Sequence, residues 1–155
     1  MTFSEHGTDD TASPILRPPF QQPRLIIYVL VGGMLGTAGR EGIALALPSY
    51  GGIPWSILVV NVVGAFLLGF LLTALGSRTP ETPTRRDLRL FGGTGVLGGF
   101  TTYSTLATDT ARLITDPGLA IGYALGSVAL GLAAAAAGVA VGAALFPASA
   151  QGRTS

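Results

Sequence analysis

Asn61 is the one strongly polar side chain in the 23 charge-free residues 54–76. An amide there can bond to a neighbouring helix, the commoner fate of a membrane Asn, or give its N–H to a small dehydrated anion that finds no donor in hydrocarbon. Farther along, GGFTTYST (98–105) joins two Gly to five hydroxyl residues. Backbone unwound at 98–102 exposes carbonyl oxygens, the ligands a hard cation takes, although a Gly-rich packing kink accounts for the same residues. Ser104 and Thr105 offer hydroxyls to a polar pathway or to the carbonyl four residues back. Tyr123 and Ser127 stand four apart, on one helical face. Arg40, beside Glu41 in an apolar stretch, either concentrates anions at a vestibule or snorkels to the interface.

These groups sit in a chain built for lipid. Its 155 residues are 48% hydrophobic and only 11% charged, against roughly 25% in a soluble domain. Residues 1–24 and 77–90 hold 11 of the 17 charges. Residues 42–77 and 117–152 have none, and each stretch exceeds the roughly 20 residues of a membrane-crossing helix. The fold expected is an all-α, multi-pass membrane protein with four transmembrane helices at about 25–47, 54–76, 91–113 and 119–146. Gly92, Gly93, Gly95, Gly98 and Gly99 predict a broken third helix, its freed backbone facing protein or water. A disordered, Pro-rich tail (1–24) precedes the transmembrane domain (25–147), a short tail (148–155) follows, and 77–90 reads as a loop. Trp55 fits an interfacial anchor. The ladders Gly32/Gly36, Gly118/Gly122/Gly126 and Gly138/Gly142 all read as helix-packing faces.

Composition excludes several functions. With no Cys and a single His, His6, in a polar tail, thiolate metal sites and Ser/His/Asp chemistry lack their parts, and an enzyme is not expected. A net charge of +1 makes no case for nucleic acid. Seven Arg (17, 24, 78, 85, 86, 89, 153) fall on one side and Arg40 and Arg112 on the other, so the positive-inside rule puts both termini in the cytoplasm of a cell inner membrane protein.

GGMLGTAGRE, VNVVGAFLLGF and GGFTTYST follow the order and spacing found in the Fluc (CrcB) fluoride channels, and over 28–143 the chain resembles that family. The resemblance implies an antiparallel dimer of four-helix subunits with two narrow pores, passively releasing F⁻ that entered as HF. It implies that Asn61, Tyr103, Ser104, Thr105, Tyr123 and Ser127 line the fluoride path and that Arg40 lies at a vestibule. It also implies a central structural Na⁺ held by the Gly98 and Thr101 carbonyls of both subunits, with Gly98 expected in a conformation easy only for glycine. Two Phe three apart are usual after the third-helix motif, and here Tyr103 and Leu106 occupy those places, so the second aromatic ring edge is missing. Gly131 stands where a further hydroxyl can occur. Asp109 takes the place of the family's usual acidic residue and is assigned no role.

Two other classes stay open. A small proton-coupled multidrug antiporter needs a membrane carboxylate, and Glu41 is the candidate, although Arg40 favours its ionised form. A non-conducting partner subunit explains the thinned pore residues. The Arg bias, with Leu106 and Gly131, favours pairing with an inverted homologue, a heterodimer, over pairing with a second copy.

Overall fold

The computed structural model describes residues 22–47, 53–76 and 82–147. Most of both tails, with His6, Arg17 and Arg153, and the segments around Arg78 and Glu81 lie outside the described residues. Among those described, the regular structure is helical: α1 (Pro23–Ala46), α2 (Trp55–Gly76), α3 (Pro83–Leu88), a π-helical stretch (Arg89–Leu97), α4 (Gly98–Phe100), α5 (Tyr103–Arg112) and α6 (Pro117–Leu145). The helices α2 and α6 are each long and apolar enough to cross a membrane.

Proline punctuates nearly every boundary. Pro23, Pro83 and Pro117 open α1, α3 and α6, where the missing N–H costs nothing. Leu47 leaves helical geometry (φ −114°, ψ 93°) because Pro48 follows it. Asp116 caps α6 by accepting the Leu119 N–H at 3.0 Å.

The third segment corrects the expected loop. Residues 82–90 are not all loop: helix begins at Pro83, with Thr82 Oγ1 accepting the Arg85 N–H at 3.4 Å. A Thr-Pro pair is an N-cap followed by a preset first turn, and this local signal outweighs the charge density that reads as loop. The helix widens to π geometry through Gly92, Gly93 and Gly95 and then stops, Thr101 (φ −77°, ψ 155°) and Thr102 (φ −149°, ψ 124°) being extended before α5.

Contact register gives the topology. Arg24 is ion-paired with Asp87, Gly32 faces Phe91 and Gly95, and Gly36 faces Val96 and Phe100, so α1 runs parallel to the third segment. Likewise Tyr123 reaches Pro54, Gly138 faces Phe66 and Gly142 faces Phe70, so α2 runs parallel to α6. Asn61 lies beside Thr102 and Leu71 beside Gly92, which makes the two pairs antiparallel. The four segments therefore alternate in direction, and Arg24 and Phe146 lie at the same end of the bundle.

Close backbone approach holds these pairs together. A Cβ at Gly36 would stand 2.0 Å from the Val96 carbonyl oxygen, and one at Gly69 would stand 2.4 Å from that of Ala135. In lipid such packing drives association, because hydrocarbon offers no hydrophobic gain between helices. Many outward-facing side chains are large and apolar, Leu30, Met34 and Leu132 among them. The middle ladder departs from expectation: Gly122 and Gly126 have nothing within 4 Å of an added Cβ. They line an open groove with Ile53, Trp55 and Leu58 because α2 meets α6 on the face carrying Gly138 and Gly142.

Candidate functional site at the helix interruption

The interruption is where polar chemistry gathers. Asn61 on α2 donates from Nδ2 to the Thr102 carbonyl at 3.0 Å, and its Oδ1 accepts the Thr102 N–H at 2.9 Å. The amide thus takes the Thr102 N–H, which the interruption leaves without a helical partner, and adds a donor to the Thr102 carbonyl, which as the N-cap of α5 already accepts the first bond of that helix; an unsatisfied group in lipid costs ~4 kcal/mol. Nδ2 carries two hydrogens, so one remains after this pairing. Between the two expected roles of Asn61, the geometry displays the interhelical bond directly and leaves one N–H to give.

Thr102 organises the other side. Its Oγ1 accepts the Thr105 N–H at 3.2 Å, capping α5, and lies 3.2 Å from Ser104 Oγ and 3.1 Å from Thr105 Oγ1. Thr102, not among the candidates in the sequence, was signalled there only as a Thr three residues before Thr105 at a helix restart. Thr101 turns its hydroxyl back onto the Leu97 carbonyl at 3.0 Å.

The interruption takes the amide that would close a helical turn from the carbonyls of residues 98–101; that of Gly99 accepts the Thr37 hydroxyl at 3.3 Å instead, and for two others the bonds above take the amide. For Gly98 that amide belongs to Thr102 and goes to Asn61. For Thr101 it belongs to Thr105 and goes to Thr102 Oγ1. Hard oxygen donors of this kind suit Na⁺. Among the described residues no group of three or more His, Asp or Glu could hold a metal ion. The expected glycine-only backbone at Gly98 is corrected: Gly98 has φ −64°, ψ −37°, ordinary right-handed helix, because the chain stays helical through Phe100 and departs only at Thr101. An added Cβ there meets nothing nearer than Gly93 O at 3.8 Å.

The remaining candidates lie apart from this cluster. Tyr103 is 81% exposed and borders a groove of about 680 Å³ between α5 and α6 with Leu106 and Thr110. Tyr123 and Ser127 are buried on α6 and line the separate 340 Å³ groove beside Trp55 and Gly122. The Tyr123 hydroxyl points to the Pro54 carbonyl at 3.5 Å, and Ser127 Oγ donates to the Tyr123 carbonyl at 2.6 Å, the back-bond open to any helical Ser. Arg40 is half-buried near the far end of α1, and Glu41 borders a third groove with Thr37 and Gly99. One chain therefore assembles Asn61, Gly98, Thr101, Ser104 and Thr105 around Thr102, while Tyr103 and the Tyr123/Ser127 pair open onto different faces of α6. Asp109 is buried and ion-paired with Arg112 at 3.3 Å.

Comparison with known proteins identifies the family. The family described as CrcB-like protein, Camphor Resistance (CrcB), matches residues 27–139. A Leifsonia xyli protein named fluoride-specific ion channel FluC 2 is 51% identical over 79% of this chain and 86% of its own length. A Cutibacterium acnes protein named fluoride-specific ion channel FluC 1 is 46% identical over 72% of this chain and 80% of its own, and the Deinococcus radiodurans fluoride-specific ion channel FluC is 41% identical over 78% and 97%. With a match across its helices and relatives of this identity and coverage, the chain belongs to the CrcB family.

Proposed function

We propose that the chain is a subunit of a fluoride-selective passive channel that releases cytoplasmic F⁻ and so lowers fluoride toxicity. The observation that carries it is the cluster at the interruption, where Asn61, Ser104 and Thr105 set neutral N–H and O–H groups around Thr102. Neutral donors replace the hydration of a small anion without a fixed charge that would trap it. The ring edge of Tyr103 adds a positive quadrupole, Tyr123 and Ser127 continue the polar track, and Arg40 raises anion concentration at one mouth. The α4–α5 interruption is the broken third membrane helix.

Because Tyr103 and the Tyr123/Ser127 pair open on different faces of α6, a complete path needs a second subunit, inverted relative to the first. Gly98 and Thr101 carbonyls from both subunits would hold Na⁺, which supplies a fixed positive charge tying the two backbones together. The described Arg24, Arg85, Arg86 and Arg89 lie at the end of the bundle that holds Pro23 and Phe146, which favours a cytoplasmic placement of that end in the cell inner membrane. A subunit so biased pairs with an oppositely biased homologue rather than with itself. Leu106 and Gly131, lacking aromatic and hydroxyl groups, fit a partner that supplies them, and a subunit lining no conducting pore is the second reading on the same observation.

Fluoride efflux from proteoliposomes, followed with a fluoride electrode, tests the proposal. F⁻ should pass in preference to Cl⁻, without a proton gradient, and equally in Glu41→Gln. Drug-coupled proton flux abolished by Glu41→Gln would establish an antiporter instead.

A further inference from the structure

We infer that Asn61 is a positioning residue for the carbonyl site: its amide holds Thr102 off the helix and thereby keeps the Gly98 carbonyl available to a cation. In a continuous α-helix the Thr102 N–H would close on Gly98 O. Here Asn61 Oδ1 takes that N–H at 2.9 Å, and Nδ2 holds the Thr102 carbonyl at 3.0 Å. Two bonds on one planar group fix the Asn61 side chain and the Thr102 peptide groups together. Three residues on, and so on the same face of α2, Gly64 brings its backbone against the interruption: a Cβ there would stand 2.3 Å from Thr101 Cγ2 and 3.2 Å from the Phe100 ring. The close contact at Gly64 lets α2 come near enough for the amide to reach. Without Asn61, closing the helical turn would return the Thr102 N–H to the Gly98 carbonyl, and re-forming that bond removes a cation ligand.

The same amide has one hydrogen left, and bonding at both its ends polarises it as a donor. Anion path and cation site therefore share one side chain. This inference rests on the Na⁺ reading of Gly98 and Thr101, so the experiment separates the two.

Na⁺-dependent thermal stabilisation is measured in detergent on the full chain purified together with its partner subunit, with a bulky organic cation as the Na⁺-free reference. Asn61→Leu, which loses both bonds, should raise the Na⁺ concentration for half-maximal stabilisation about tenfold, the scale on which one competing backbone hydrogen bond opposes binding. Asn61→Asp keeps the acceptor for the Thr102 N–H, so its Na⁺ requirement should stay within about twofold of the unaltered protein, or fall, while F⁻ efflux is lost. An unchanged requirement in Asn61→Leu overturns the inference, as does a tenfold rise in Asn61→Asp. Should neither variant fold, hydrogen exchange at the Thr102 amide of the unaltered protein decides: it should be slow with and without Na⁺, and fast exchange overturns the inference. Failure of the Na⁺ reading has a different signature, no response of the unaltered protein to Na⁺ at all.

Discussion

Gly138 lies against the backbone of Phe66 so closely that an added Cβ would stand 2.1 Å from the Phe66 carbonyl oxygen. The obstacle is main chain on a rigid helix, which cannot swing aside. Gly138→Val should therefore destabilise the subunit by about 3 kcal/mol, the upper end for overpacking. Gly98→Val has room within its own chain and should leave the subunit fold intact, its effect falling on Na⁺ response and subunit pairing. Melting temperature and gel-filtration profile in detergent check both, and a Gly98→Val subunit that melts as early as Gly138→Val contradicts the assignment.

Thr102 caps α5 through its hydroxyl. Thr102→Ala should cost about 1 kcal/mol, read as a lower melting temperature, and Thr102→Ser should restore most of it. Equal losses in the two variants would show that the methyl group, not the hydroxyl, matters.

Leu106 sits with Tyr103 in the α5–α6 groove, where a ring edge would face the proposed path. Leu106→Phe should increase F⁻ efflux per folded protein when the chain is reconstituted together with its partner subunit. Unchanged efflux places residue 106 off the path.

The ion pair of Arg24 with Asp87 joins α1 to α3 at the bundle end, with the Arg24 guanidinium 5.6 Å from the Tyr28 ring centroid. The Arg24 side chain is well exposed, so Asp87→Asn should cost no more than about 1 kcal/mol, and less at high salt. A large, salt-insensitive loss of melting temperature would mark the pair as shielded by the partner.

A single Cys at position 77 should be labelled from one membrane face only, if the Arg bias fixes orientation. Equal labelling from both faces, with F⁻ efflux by the protein purified alone, favours a dual-topology homodimer.

Helix limits were legible in the sequence because Pro23, Pro48, Pro54, Pro117 and Pro147 act through local sterics alone. The Gly32/Gly36 and Gly138/Gly142 ladders were legible for the same reason, since a spacing of four fixes a face. Which ladder meets a neighbour within the chain was not, because that depends on how helices pair; Gly122 and Gly126 look identical on paper and face open space. The helix start at Pro83 was hidden by the Arg around it, although Thr82 signalled it. Asn61 was visible as an anomaly, yet its partner Thr102 depends on the depth at which antiparallel α2 and the third segment align, which no local pattern encodes.

The parallel pairing of α1 with the third segment, and of α2 with α6, sets the order in which the chain can mature. Each tight pair joins segments separated by an antiparallel one, so α1 cannot bury Gly32 and Gly36 until some 50 more residues have been made. At roughly 5–20 residues per second this wait lasts about 3–10 s. During it, the glycine face of α1 meets only lipid and whatever other nascent helices are close by. Newly inserted α1 and α2 are thus the interval of greatest vulnerability in biogenesis, and slowing translation between 47 and 97 should lower the yield of mature subunit more than slowing it after 100.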